Sequence, residues 1–154
     1  HCDGIELNAR NNCGTTAFMF ACQHGHKDVA KLLLDHSERI DLNARDNVGM
    51  TAFMYACVNG RKDVVKLILD HSDRIDLNAR AYNGDTALML ACRRGHKNVV
   101  GMLLQHSNPR IALNVADNNG RTALIIASQG GHQDIVYMIK AKLNLKLLLE
   151  QNDE

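Results

Sequence analysis

The residues best suited to catalysis or metal binding are the cysteines and histidines near the start of the chain. Cys22, His24 and His26 alternate with other residues, and thiolate and imidazole groups are ligands that zinc prefers. Cys13 with His24 would offer a thiol nucleophile and a base. The metal triad, however, spans a helix end and a turn, and no third group is evident that would orient the Cys–His pair. We therefore predict no catalytic residue, no metal and no cofactor.

The composition favours a single folded domain. The chain has 154 residues, of which 45% are hydrophobic and 23% are charged, and its net charge is +1. That is enough apolar content for a core, no apolar run is long enough to span a bilayer, and the balanced charge gives no chain-wide reason to expect nucleic acid. The five cysteines cannot all pair, which suggests a reducing compartment. We expect a cytoplasmic or otherwise intracellular protein, the nucleus included.

An internal repeat decides the architecture. The string Leu-Asn-Ala-Arg begins at Leu7, Leu42 and Leu77, and the variant Leu-Asn-Val-Ala begins at Leu113, so the spacings are 35, 35 and 36 residues. Residues 7–41 and 42–76 are identical at 25 of 35 positions. Such self-similarity at a fixed period is the signature of a repeat architecture.

Local signals within the first unit predict two helices. Thr16 can cap a helix over residues 17–23, and Gly25 can end that helix in a left-handed conformation. Apolar residues at helical spacing predict a second helix over residues 27–35. A connection with a hairpin-like tip then leads into the next unit. Because one such unit cannot bury its apolar face alone, the four units should stack.

The units resemble the ankyrin repeat. The string TAFMYA at residues 51–56 and the string GDTAL at residues 84–88 are similar to the T-P-L-H-x-A signature of that family, in four registers over essentially the whole chain. The resemblance implies an all-α fold, an ankyrin-repeat solenoid of stacked helix-turn-helix units with hairpin-like loops. The family's Gly after the second helix is missing, which should alter the end of that helix. The family's Pro is Ala in every unit, and its His is replaced by Met19, Met54, Met89 and Ile125.

The repeat register also suggests where the units begin and end. His1 has the register of residues that end a second helix in later units, so we expect a part of a longer array. Ser128 and Lys140 replace Cys and Leu at stacking positions, which places the fourth unit at or near the end of the array. A helix is expected beyond it, either prolonging the last helix or folding back. The predicted organisation is a remnant of a preceding repeat at 1–6, repeats at 7–41, 42–76, 77–112 and 113–142, and a C-terminal cap or extension at 143–154.

The resemblance implies that the tips and first helices of the units line a concave, partner-binding surface. Arg10, Arg45 and Arg80 recur at one register beside the tips and would form a stripe, called the arginine stripe. Tyr82 lies close to Arg80 in sequence. Tyr and Arg are enriched at interface hot spots, so Tyr82 is the predicted centre. As exposed charges, the arginines should add little to folding. The predicted partner-binding residues are Arg10, Arg45, Met50, Arg80, Tyr82, Asp85, Arg93, Arg94 and Arg121.

The predicted function is non-enzymatic binding of another protein, and a partner with an acidic patch would suit the stripe. Other interpretations stay open. Variable surface positions can drift under weak constraint, and the stripe could pair with Asp46 or Asp117 within its own units. The chain could also be an engineered ankyrin-based binder or fusion scaffold. Nucleic-acid binding through the arginine stripe is a further alternative, which a steep salt dependence would reveal. No membrane association is expected.

Overall fold

A computed structural model describes residues 6–106 and 111–152 of the chain. The secondary structure within these ranges is helical, without strands, which confirms the predicted all-α class. The helices form four pairs, and each pair is one repeat unit. The inner helices are α1 (Ala17–His24), α3 (Ala52–Val58), α5 (Ala87–Arg94) and α7 (Ala123–Gln129), and the outer helices are α2 (Lys27–Asp35), α4 (Lys62–Asp70), α6 (Lys97–Gln105) and α8 (Gln133–Asn152).

Each inner helix begins at a threonine cap. The Thr16 hydroxyl accepts a hydrogen bond from the Met19 N–H at 3.3 Å, and the threonines of the other units do the same. This satisfies one of the N–H groups that a helix start leaves without a partner. Gly25 follows α1 with a φ of 77°, a conformation that glycine adopts at low cost. The predicted first helix is confirmed with one residue more, and the predicted second helix has the expected bounds.

The outer helices α2 and α4 end at a histidine and not at a capping glycine. At the ends of α2 and α4, ring Nδ1 of His36 and His71 lies 2.9 and 2.8 Å from the carbonyl oxygen of the residue four positions earlier. A short 3-10 turn follows each histidine, at Ser37–Arg39 and Ser72–Arg74. The imidazole therefore caps the last turn where the expected Gly is missing, and the turn accommodates the longer connection.

The core lies between the stacked units. Inner helices pack on inner helices, and outer helices on outer helices. The repeated cysteines Cys22, Cys57 and Cys92 are fully buried and belong to this core. Burial raises the pKa of the Cys22 and Cys92 thiols to about 12, so few of them are thiolates at neutral pH. Leu67 is buried as well, as its helical register predicts.

The recurrent Leu-Asn-Ala-Arg string is the junction between units. In the second unit Leu42 and Ala44 are buried, and Asn43 between them reaches the following connection. Its amide N–H donates to the Arg74 carbonyl at 3.0 Å, and its oxygen accepts from the Asp76 N–H at 2.8 Å. Asn8 makes the same two bonds one unit earlier. Asparagine suits this place because its side chain donates and accepts at the same time.

Helix α8 is longer than the other helices, with 20 residues. Its first half packs on α6 and α7, where Ile135 and Ile139 are fully buried. Its second half carries exposed leucines, among them Leu145 and Leu148. Of the two conformations left open by the sequence, the last helix is prolonged. The expected repeat boundaries remain predictions: Pro109 and all of the predicted remnant except Glu6 lie outside the described residues.

Candidate partner-binding surface

The hairpin-like tips of the four units are joined into one continuous edge. The Asn47 N–H donates to the Cys13 carbonyl at 3.0 Å, and the Tyr82 N–H donates to the Val48 carbonyl at 3.1 Å. The same bond joins the third and fourth tips. Because these bonds connect backbone to backbone across units, the edge is held in a fixed geometry. The tips lie at residues 11–15, 46–50, 81–85 and 117–121.

An acidic side chain organises the second tip from within. One oxygen of Asp46 accepts from the N–H groups of Val48 and Met50, at 3.0 and 2.8 Å. Its other oxygen accepts from the Tyr55 hydroxyl at 2.5 Å. Burial, together with this bond, raises the pKa of Tyr55 to about 12. Met50, one of the predicted binding residues, is half-buried and packs against the core.

The arginine stripe is a second ladder between units. The guanidinium of Arg10 donates to the Arg45 carbonyl at 2.8 Å, and that of Arg45 donates to the Arg80 carbonyl at 2.5 Å. Arg80 completes the series by donating to the Ala116 carbonyl at 2.7 Å. The alternative that the stripe pairs with an aspartate of its own unit is therefore wrong for Arg10, Arg45 and Arg80, because each donates to the backbone carbonyl at its own register in the next unit. It is confirmed for Arg121, which pairs with Asp117.

Arg93 and Asp85 form a bidentate ion pair on the third unit. The two guanidinium nitrogens lie 2.5 and 2.7 Å from the two carboxylate oxygens. The Asp85 side chain is 1% exposed, whereas that of Arg93 is 35% exposed. Hydrogen bonding to Asp85 raises the pKa of the Arg93 guanidinium above its ordinary value. Arg93 is therefore not the exposed charge that the sequence suggests, and its loss would leave a buried carboxylate without its charged partner.

The fourth unit repeats the pairing with other residues. Arg121 donates to Asp117 from Nε at 2.9 Å, and its Nη2 lies 2.8 Å from the same carboxylate. Backbone hydrogen bonding from the Arg121 N–H is the largest cause that lowers the pKa of Asp117. Arg93 lies 3.9 Å from Asp117, so the ion pairs of the third and fourth units adjoin. Three of the predicted site residues, Asp85, Arg93 and Arg121, thus meet in one network.

Tyr82 interrupts a regular arrangement of asparagines. At the same register, the Asn47 amide donates to the Asn12 carbonyl at 2.9 Å and the Asn118 amide donates to the Tyr82 carbonyl at 2.8 Å. Tyr82 cannot make this amide bond, and its side chain is 64% exposed. Its ring lies over Gly49, because a Cβ added there would lie 2.8 Å from the ring Cδ1. Tyr82 and the neighbouring exposed Val48 are called the tip patch below.

Other chemistry-bearing residues do not converge. Arg94 is exposed at the end of α5, and within residues 6–106 and 111–152 it has no hydrogen-bond or ion-pair partner. His24 is exposed and stacks on Phe20 with ring centroids 4.1 Å apart, whereas Cys22 is buried beneath the helix surface. In the part of the chain that the structure describes, no three His, Cys, Asp or Glu side chains are placed to hold a metal ion.

The comparison with known families agrees with this geometry. A family profile described as ankyrin repeats (3 copies) matches residues 2–81 and 72–150. This chain belongs to the ankyrin repeat family. Ankyrin repeats generally mediate protein–protein interactions, and the capped helix pairs and tips described above are the elements that the ankyrin resemblance implied. None of the described helices is both long and apolar enough to cross a membrane.

One curated relative shares a single stretch with this ankyrin chain. The relative, "Probable E3 ubiquitin-protein ligase XBOS33" of Oryza sativa subsp. japonica, is 55% identical over 31 residues, or 20% of the chain. The matched stretch covers only 6% of the relative. A match of this extent concerns a single short stretch of each protein.

Three structural features of this surface were not predicted from the sequence: the asparagine bonds between tips, the carbonyl acceptors of the arginine ladder and the Arg93–Asp85 ion pair. A signal for each was present. Asn12, Asn47 and Asn118 share the register that Tyr82 breaks, and Asp85 and Arg93 replace Met50 and Val58 of the second unit together. Comparing pairs of registers between units, rather than single positions, would have found them.

Proposed function

We propose that this ankyrin array binds another protein without catalysis, through the concave surface that its tips and inner helices form. The tip patch of Val48 and Tyr82 is the centre of that interface. The observation that carries the proposal is Tyr82 itself: it gives up the amide bond that its counterparts make, and exposes 64% of a large aromatic side chain instead.

The surroundings of the tip patch suit recognition. Backbone bonds from tip to tip fix the Val48 and Tyr82 main chains, so little conformational entropy remains to be lost on binding. Tyrosine is enriched at hot spots because it offers a rigid apolar ring and a polar hydroxyl. A partner of matching chemistry would place an apolar or aromatic side chain against the ring.

The charges of the surface are mostly committed within the chain. Arg10, Arg45 and Arg80 donate to backbone carbonyls, while Arg93 and Arg121 face carboxylates. An arginine has five N–H donors, so each keeps donors for a partner, and their predicted binding roles, with those of Met50 and Asp85, remain predictions. Arg94 is the guanidinium most available to an acidic group. Carboxylates neutralise Arg93 and Arg121, so this surface offers a phosphate backbone less uncompensated charge than the arginine count of the sequence suggests.

The ligase function named for the rice relative is not part of this proposal. The match covers 31 residues of this chain and only 6% of the relative, and ankyrin repeats offer a binding surface rather than a reaction centre.

The test is the substitution Tyr82→Asn, with Tyr137→Asn as the matched control. Asn at position 82 can donate to the Asn47 carbonyl, as its counterparts do, so the variant should be at least as stable as the parent. Tyr137 is an equally exposed tyrosine, on α8. Immobilised parent and variants are incubated with extract of the source cells, and retained proteins are quantified by mass spectrometry.

We expect at least one protein to be retained by the parent and by Tyr137→Asn but lost with Tyr82→Asn. Its purified form should bind Tyr82→Asn at least about tenfold more weakly, which corresponds to about 1.4 kcal/mol. Identical retention by all three proteins would refute the tip patch as the centre of the interface.

A further inference from the structure

The third tip lacks the side chain that organises the other three tips. In those tips, one side-chain oxygen of Asn11, Asp46 and Asp117 accepts two backbone N–H groups of its own tip. The first of these N–H groups belongs to the residue two positions later, at 2.9 to 3.0 Å. Ala81 has the same register in the third tip, and its methyl group cannot accept a hydrogen bond.

The backbone of the third tip nevertheless closes as in the other tips. The Ala81 N–H donates to the Asp85 carbonyl at 2.9 Å. The Asp85 N–H has found a substitute acceptor, the side-chain oxygen of Asn83 at 3.0 Å. The Asn83 N–H, however, has no acceptor among the residues that the structure describes. A main-chain donor that the other tips bond internally is therefore left open in this tip.

A main-chain acceptor is left open on the neighbouring tip. The Asn12 and Tyr82 carbonyls each accept a side-chain amide from the next unit. The Asn47 carbonyl has the same register, but Tyr82, which follows it one unit later, has no amide to donate. Within residues 6–106 and 111–152, no group donates to the Asn47 carbonyl. The Asn47 carbonyl and the Asn83 N–H are called the open pair below.

The open pair adjoins the tip patch on both sides. Asn83 directly follows Tyr82 in the chain, and Asn47 directly precedes Val48. The two tips are joined there by the bond from the Tyr82 N–H to the Val48 carbonyl, at 3.1 Å. Asn47 and Asn83 are exposed, so water can bond both groups in the free protein. Both tips have a neighbouring unit on either side, so the open pair is a property of the interior of the array.

We infer that the open pair binds the main chain of an extended peptide segment of the partner protein. One N–H of that segment donates to the Asn47 carbonyl, and one of its carbonyls accepts from the Asn83 N–H. An adjacent apolar side chain of the segment packs on the tip patch. The inference rests on the proposed function, because it names the part of the partner that the tip patch recognises.

Hydrogen-bond complementarity favours a main chain over a charged side chain. The open pair needs one donor and one acceptor, whereas lysine and arginine offer only donors and a carboxylate offers only acceptors. An extended main chain offers both groups at almost every residue, and its side chains remain available for the neighbouring apolar surface. The bonds between tips hold the backbone in place, so the open pair needs little ordering on binding.

Random linear peptides displayed on phage provide the probe. They are selected on the immobilised parent chain, and peptides that also bind Tyr82→Ala are removed. The selected peptides are synthesised, and their affinities are measured by fluorescence anisotropy. Each peptide is then N-methylated at one amide at a time, which removes a single main-chain N–H and leaves every side chain unchanged.

Two variants at position 81 test the Asn83 N–H while the tip patch stays intact. Ala81→Asn supplies the acceptor that Asn11 provides in the first tip. Ala81→Leu is the matched control, because leucine has a similar shape to asparagine but no acceptor. Nuclear magnetic resonance of the ¹⁵N-labelled chains measures amide exchange at Asn83.

We expect one N-methylation to weaken binding at least about fivefold, the effect of losing one hydrogen bond. Ala81→Asn should weaken binding by a similar factor, whereas Ala81→Leu should stay within about twofold of the parent. The peptide should slow exchange of the Asn83 N–H in the parent at least about tenfold. In Ala81→Asn the same N–H should exchange slowly without any peptide.

Each contrary result has a distinct meaning. Peptides that need Tyr82 but tolerate every N-methylation and bind Ala81→Asn normally would refute the inference and leave the tip patch as an interface. Tolerance of N-methylation combined with loss of binding on replacing one Asn or Gln of the peptide would assign the open pair to a side-chain amide instead. If no selected peptide depends on Tyr82, the inference fails, whereas the proposed function is decided by the proteins retained in the Tyr82→Asn experiment.

Discussion

Removal of the Arg93 guanidinium tests whether the ion pair with Asp85 stabilises the fold. In Arg93→Ala, the carboxylate of Asp85 keeps its buried position but loses two charged donors, at 2.5 and 2.7 Å. The Asn83 amide, at 2.8 Å from the same carboxylate, stays in place. The variant therefore leaves a buried charge with a single neutral side-chain partner.

The magnitude follows from the burial of each partner. Breaking a fully buried ion pair by removing one member costs about 3–5 kcal/mol, because the other charge is left without compensation. The Asp85 side chain is 1% exposed and fits that case, but Arg93 is 35% exposed, so solvent screening reduces the strength of the original pair. With the remaining Asn83 bond, we expect a loss of about 1.5–3 kcal/mol.

Urea denaturation followed by circular dichroism measures this loss, with two matched variants. Arg94→Ala removes the adjacent exposed guanidinium and should change the free energy of unfolding by less than about 0.5 kcal/mol. The double variant Asp85→Met with Arg93→Val installs the residues that occupy the same registers in the second unit, Met50 and Val58. The double variant should be more stable than Arg93→Ala, because an apolar pair leaves no buried charge without a partner. A stabilising role of the ion pair would be refuted if Arg93→Ala were as stable as the parent, or if the double variant were less stable than Arg93→Ala.

Two other predictions concern titratable groups. A small thiol reagent at pH 8 should label exposed Cys13 well before Cys22, Cys57 and Cys92, because burial raises the pKa of these three core thiols. Peptide mapping measures the order of labelling. Rapid labelling of Cys57 in the native protein would contradict its place in the core. The pKa of Asp117 in the fold lies below its ordinary value of 3.8, so its contribution to stability is complete above that pH and is lost as the pH falls through the folded pKa. Asp117→Asn should therefore make unfolding less acid-dependent below about pH 4, and an unchanged acid limb in pH-titrated denaturation would count against the pairing.

Local features of this fold were predictable because neighbours in sequence determine them. Thr16 caps a helix whose first residues follow it directly, and Gly25 supplies a backbone angle that a turn at that position requires. The apolar spacing around Leu67 predicts which face is buried, and the internal repeat predicts what buries it. These inferences need only a few residues and one periodicity.

The candidate site was less predictable because its partners are a whole unit apart. Arg45 looks like a free surface charge until the carbonyl of Arg80, 35 residues later, is placed beside it. Asp85 and Arg93 are eight residues apart, but the tip and α5 must both be built before their side chains meet. The sequence indicates Tyr82 only by its residue type, whereas the structure adds the asparagine bond that Tyr82 replaces.

The backbone bonds between tips and the arginine ladder also determine where the chain tolerates a change of length. Arg45 bonds to a residue 35 positions later and Arg80 to a residue 36 positions later, yet both reach the same register of the next unit. The additional residue of the third unit falls between Leu104 and Ala112, in the connection after an outer helix, and the tips remain in register. Insertions into these outer connections should therefore be accepted at little cost, because loop closure depends only weakly on loop length. An insertion within a tip would displace the bonds of two junctions at once, so a tag or a fluorescent label belongs on the outer side of the array.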